Sequence, residues 1–237
     1  MRVLLLHAGI ADSRMWAQQR EALRAAGHEP VAPDLPGFGE EPLRPPTVDY
    51  VGFAAERLGE PGAVVGSSFG GRVALELTGA RPDLVRALVL VSPGLASTEW
   101  SAETQALFAE EDELVQGGEL AAAADQQARM WLAPDAHPSV GRLTAAMTRR
   151  SYEQQLPLDG QVRADWPEPS AEARLAEIGV ATLVVTGSED RRELHDVAAR
   201  LVRELPDAQA ETIEGAGHLP SLERPEELNR LLLDFLP

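Results

Sequence analysis

The chain has 237 residues, 44% of them hydrophobic, which is ample for one sizeable core. Its 38 acidic residues against 21 basic ones leave a formal net charge of -17 at pH 7, which repels phosphate backbones and anionic lipid surfaces, so neither nucleic acid nor membrane is an expected partner. Cysteine and lysine are absent, which excludes disulfides, thiolate metal sites, cysteine nucleophiles and lysine Schiff bases.

The N-terminal "MRVLLLHAG" has an apolar run too short for a signal peptide, and no later stretch approaches a membrane span, so the chain reads as cytoplasmic. No internal repeat occurs. Short apolar runs begin at Val3 ("VLLL"), Pro30 ("PVAPDL"), Ala63 ("AVVG"), Ala87 ("ALVLVSP"), Thr182 ("TLVVTG") and Ala210 ("AETIEG"), and amphipathic stretches such as Met15 to Ala26 and Gly71 to Ala80 lie between most of them. Continuous apolar strands alternating with helices predict a doubly wound α/β fold, with about six strands in a mainly parallel sheet. From about Thr98 to Arg174 the alternation lapses into an Ala-, Glu- and Gln-rich region with scattered large apolar residues, among them Trp100, Phe108, Trp131 and Trp166. That region is expected to be a helical cap. The division is a core of residues 1–96 and 175–237 with a cap over 97–174.

Ligands of open α/β sheets bind beyond the carboxyl ends of the strands, so the residues there carry the chemical information. After the first strand stands "HAGIADSRMW", after the third "GSSFGG", after the fifth "TGSEDRR" and after the last "EGAGHLPSLERP". A serine, an acid and a histidine thus fall at separate strand ends in that order. Two serines compete at the third. A sharp strand-to-helix turn that holds a hydroxyl proud of the surface crowds the positions two before and two after it, and Gly66 and Gly70 flank Ser68 in this way, whereas Ser67 would have Val65 and Phe69 there.

"GSSFGG" between a strand and a helix, "SED" after a later strand and "GAGHLPSLERP" near the end resemble the α/β-hydrolase superfamily with its Ser-Asp-His triad. "HAGIADSRMW" and "DLPGFGE" are similar to its esterase, enol-lactonase and cofactor-free perhydrolase-like branch. The resemblance covers nearly the whole chain and starts at the family's third strand, so the implied fold lacks the N-terminal hairpin. It implies Ser68 as nucleophile, His218 as base and Asp190 as the acid that orients it, with Glu189 as that acid's rival. The implied oxyanion hole is formed by the backbone N–H groups of Phe69 and of Gly9, with Ile10 as the alternative first-loop donor, although the family's His-Gly in the first loop is His-Ala here. Ile10, Trp131 and Trp166 are the expected substrate contacts. His7 is read as shaping the first loop, His28 and His195 as solvated, and Trp16 as core.

No pair among the five histidines has metal-ligand spacing, so no metal and no cofactor is expected. The expected activity is that of a serine hydrolase acting on a carboxylic ester or lactone of a small, partly hydrophobic molecule. A carbon–carbon bond hydrolase uses the same triad on anionic substrates, which a cluster among Arg129, Arg142, Arg149, Arg150 and Arg163 would favour. A weakly catalytic ligand-binding protein is the reading from outside enzymology.

Overall fold

The computed structural model describes residues 1–237. Its strands are β1 (Arg2–Leu6), β2 (Glu29–Val31), β3 (Thr47–Val48), β4 (Gly62–Ser67), β5 (Val85–Val91), β6 (Arg163–Ala164), β7 (Thr182–Gly187) and β8 (Ala208–Ile213). Six of them form one parallel sheet in the order β2-β1-β4-β5-β7-β8. These are the six apolar runs of the sequence. The remaining two, β3 and β6, pair in a separate parallel ribbon that nothing in the apolar pattern announces.

The helices are α1 (Ala17–Ala25), α2 (Tyr50–Leu58), α3 (Phe69–Ala80), α4 (Ala102–Gln116), α5 (Leu120–Trp131), α6 (Pro138–Gln155), α7 (Arg192–Glu204), α8 (Pro220–Glu223) and α9 (Pro225–Phe235). Side chains alternate across a strand, so each apolar run supplies two cores. Leu4, Leu6, Val64, Leu88, Leu90 and Val184 pack with residues of α2, α3 and α7, among them Ala54, Val73 and Leu201. Val3, Leu5, Val65, Val89, Leu183 and Val185 pack on the opposite face with Leu23 of α1 and Leu228 and Leu232 of α9. Both faces are therefore covered, which is why these strands read as unbroken apolar runs. No helix is long and apolar enough to cross a membrane.

The chain between β5 and β7 carries α4, α5 and α6 and is tied down at several points. Thr148 of α6 donates its hydroxyl to the carbonyl of Ile10 at 2.8 Å, and Gln155 donates to the carbonyl of Gly37 at 3.0 Å. The start of α4 is held by Glu193 on α7, whose Oε1 accepts from the amide of Ser101 at 2.9 Å and the hydroxyl of Thr104 at 2.8 Å. Ala171 and Leu175 lie within the core itself, and the amide of Ala171 donates to the buried Glu76 of α3 at 2.8 Å.

Burial works to raise the pKa of Glu193, but the bonds from Ser101 and Thr104 outweigh it and hold the group at about 2. A carboxylate depressed below its unfolded value of about 4.3 stabilises the fold above that pH, and the contribution disappears as pH falls toward 2. Glu193→Gln is expected to cost roughly 1 kcal/mol at pH 7 after allowance for solvent screening. Urea unfolding of both proteins should show the difference shrinking as pH falls below about 4.

Candidate active site

The turn after β4 separates its two serines. Ser67 is the last strand residue, and its fully buried hydroxyl has no hydrogen-bond partner. Ser68 is half-buried and takes φ 50 and ψ -112, a conformation that costs an L-residue energy and turns the chain sharply into α3. The turn is pinned on both sides: the amide of Ser68 donates to the carbonyl of Val91 on β5 at 3.0 Å, and that of Gly70 to the carbonyl of His7 beyond β1 at 3.1 Å. A Cβ on Gly66 would lie 2.3 Å from the carbonyl oxygen of Gly70, as the flanking-glycine argument requires. On Gly70 it would instead meet the carbonyl oxygen of Leu6 at 2.3 Å, so the second glycine is demanded by β1 and not by Gly66.

Beyond β7 the two neighbouring acids point apart. Glu189 is exposed, while Asp190 is buried with both carboxylate oxygens 3.1 Å from Nδ1 of His218. Its Oδ1 also accepts from the amide of Arg191 at 2.8 Å, which fixes the carboxylate in place. His218 lies on the loop between β8 and α8 and is 2% exposed. The structure thus brings Asp190 and His218 into direct contact. Ser68 stands at the end of β4 on the same carboxyl edge of the sheet, with no hydrogen bond from its hydroxyl to His218.

The first loop is shaped by His7. Its Nε2 accepts from the amide of Leu35 at 2.8 Å, so Nδ1 carries the proton and donates it to the carbonyl of Ala8 at 2.9 Å. Burial lowers the pKa of His7 against the opposing pull of that carbonyl, which keeps the ring neutral. Gly9 lies beside the turn of Ser68: a Cβ there would be 3.5 Å from Cβ of Phe69. The first loop and the residue after Ser68 are therefore neighbours. Ile10 is half-buried beneath α6, to which its carbonyl is tied.

The other aromatic positions divide into two groups. Trp166 is half-buried on Tyr50 and Phe69, with ring centroids 5.8 and 6.2 Å away, and the guanidinium of Arg72 lies 3.9 Å over its ring. Trp131 is instead buried against His218, with ring centroids 4.4 Å apart. Trp16 is fully buried in the core. All five arginines of the insertion are exposed; Arg149 and Arg150 line one surface hollow with Arg14, where they are neutralised by pairing with Glu153 and Glu40. A hollow of about 450 Å³ lined by Thr78, Pro82, Arg86 and Ile178 lies at the far end of α3 and contains none of these groups.

Sequence reasoning passed over Glu223, five residues beyond His218. Its buried carboxylate accepts from the amides of Ala133 at 2.7 Å, Gly217 at 3.0 Å and Leu219 at 2.9 Å. Burial raises its pKa against the opposing effect of those amides. The signal was an acid in "LERP" at a fixed step after the histidine, read only as part of a motif.

A model of the alpha/beta hydrolase family matches residues 3–231. The chain belongs to the alpha/beta hydrolase family. Among curated proteins it is similar to a pimeloyl-[acyl-carrier protein] methyl ester esterase of Neisseria meningitidis serogroup B, 30% identical over 246 residues covering 99% of this chain and 92% of that one. A 2-hydroxy-6-oxononadienedioate/2-hydroxy-6-oxononatrienedioate hydrolase of Cupriavidus pinatubonensis is 28% identical over 255 residues, 99% of this chain and 86% of the relative. An esterase from Exiguobacterium antarcticum has the same fold, with a TM-score of 0.81 at 16% identity over 99% of this chain and 91% of that one. As a hydrolase of this family, the chain carries the family's mainly parallel sheet with helices on both faces.

Proposed function

We propose that this alpha/beta hydrolase is a serine hydrolase that cleaves a carboxylic ester or lactone of a small, partly hydrophobic molecule. The observation that carries the reading is the buried Asp190–His218 pair at 3.1 Å on the sheet edge where Ser68 is held in a left-handed turn. Asp190 accepts the Nδ1 proton, so Nε2 of His218 is left as the basic nitrogen. It takes the proton of Ser68 as Oγ attacks the ester carbonyl, and the resulting oxyanion is met by the amides of Phe69 and Gly9. Collapse breaks the carbon–oxygen bond, and the imidazolium returns the proton to the departing alcohol. Water then attacks the acyl-enzyme by the same route in reverse. The helices α4 to α6 act as the cap over this edge.

Carbon–carbon bond cleavage is the weaker reading. An anionic substrate calls for uncompensated basic groups, and the arginines of the insertion are exposed, with Arg149 and Arg150 already paired to Glu153 and Glu40. The deciding experiment offers p-nitrophenyl esters of increasing acyl length, simple lactones and a 2-hydroxy-6-oxo-dienoate to the purified protein. Ester or lactone turnover, with a p-nitrophenol burst no larger than the enzyme concentration, is expected. Cleavage of the dienoate with no turnover of any ester or lactone would overturn the proposal.

A further inference from the structure

We infer that Trp131 is a positioning residue that holds the imidazole of His218 from inside the helical insertion, and that Gln127 and Glu111 in turn hold Trp131. This rests on the reading of His218 as the base. It changes the role expected for Trp131 from substrate contact to part of the proton-transfer apparatus.

Trp131 and His218 are joined twice. The amide of His218 donates to the carbonyl of Trp131 at 2.8 Å, and the indole lies on the imidazole with centroids 4.4 Å apart and planes inclined by 35°. The loop is pressed against the end of α5 so closely that a Cβ on Gly217 would lie 2.5 Å from the amide nitrogen of Ala133 and 2.7 Å from the carbonyl oxygen of Trp131. Glu223 seals this junction, since its carboxylate takes the amides on both sides of His218 and that of Ala133 just after α5. Backbone and ring of the histidine are both referred to one residue of the insertion.

The indole is itself oriented. Its N–H donates to Oε1 of Gln127 at 2.7 Å, Nε2 of Gln127 donates to Oε2 of Glu111 at 2.6 Å, and the other oxygen of Glu111 accepts from the hydroxyl of Tyr152. Every donor and acceptor in this series is assigned by its neighbour, because an indole N–H can only donate and a carboxylate only accept. The series crosses from α6 through α4 to α5 and ends on the ring beside His218. A wall for apolar substrate needs no such wiring.

The electrostatic consequence appears when His218 is protonated. An aromatic face beside a desolvated cation stabilises it, as the carboxylate of Asp190 does through Nδ1. The other charged groups facing His218 are Glu223 at the flanking amides and Arg191, which donates its amide to Asp190 and places its guanidinium carbon 5.9 Å from the Trp131 ring. Trp131→Phe keeps a ring beside Arg191, so an effect present in Trp131→Leu and absent from Trp131→Phe is assigned to the aromatic face.

The test compares Trp131→Leu with Trp131→Phe, which restores an aromatic face without the N–H, and includes His218→Ala. Trp131→Leu is expected to lower kcat by about tenfold for every ester whatever its acyl chain, the size of a desolvated cation–π contact. KM should stay nearly unchanged. The rate of inactivation by a small fluorophosphonate should fall by the same factor, and the acid limb of kcat/KM should move to lower pH. Trp131→Phe should recover most of each effect. Altered KM and acyl preference, with fluorophosphonate reactivity and acid limb as in the parent, would make Trp131 a substrate wall and overturn the inference. Parent-like behaviour in every measurement would overturn it too. Undiminished labelling of His218→Ala would show instead that the underlying reading of the base is wrong.

Discussion

Ser68→Ala is expected to abolish ester turnover, with a loss in kcat on the order of 10⁴ to 10⁶, the range seen when the nucleophile of a serine triad is deleted. The fold should survive, because alanine tolerates φ 50 about as well as serine and the surrounding turn is held by backbone bonds from Ser68 to Val91 and from Gly70 to His7. Ser67→Ala removes only a buried hydroxyl that has no partner, so activity and stability should both be close to the parent. The double variant with His218→Ala should be scarcely worse than either single one, since residues that act as a unit are far from additive. Steady-state assays with one chromogenic ester and a thermal melt of each variant are sufficient to check this set.

Asp190→Asn and Glu189→Gln form the second pair, and the structure gives them opposite outcomes. In Asp190 both oxygens lie 3.1 Å from Nδ1 of His218, and Oδ1 also accepts the amide of Arg191. An asparagine that keeps its oxygen toward Arg191 puts its NH₂ in the other position 3.1 Å from Nδ1, where it competes with that oxygen and favours the tautomer with the ring proton on Nε2, which has no lone pair for the Ser68 hydroxyl. A loss in kcat of about 10³ to 10⁴ is expected. Glu189 is exposed, and its replacement should be almost silent. A large loss in Glu189→Gln with a parent-like Asp190→Asn would reverse the assignment of the two acids.

The sheet was legible because burial on both faces leaves few polar positions in the central strands, so "VLLL", "ALVLVSP" and "TLVVTG" stand out without any knowledge of register. The turn of Ser68 was legible because backbone crowding excludes side chains, and glycine spacing records that exclusion directly. The direction a side chain takes within an irregular region leaves no such record. Trp131 and Trp166 look alike as isolated aromatics in the insertion, yet one lies on His218 and the other on Tyr50 and Phe69. Glu111, Gln127 and Tyr152 come from three helices and meet only once those helices pack, so no periodicity marks them as partners. The ribbon of β3 with β6 escaped for a related reason, since two residues per strand are too few to form a pattern.

In the proposed reaction Ser68 becomes acylated. The absence of lysine makes it accessible to peptide mapping, because trypsin cuts after Arg57 and then after Arg72, and the peptide 58–72 carries both Ser67 and Ser68. The protein is treated with a small fluorophosphonate, digested, and the labelled peptide fragmented to locate the added mass. One adduct per chain is expected, on Ser68, abolished in Ser68→Ala and retained in Ser67→Ala. An adduct on Ser67 or outside this peptide, or none in a preparation that turns over ester, would contradict the proposed reaction.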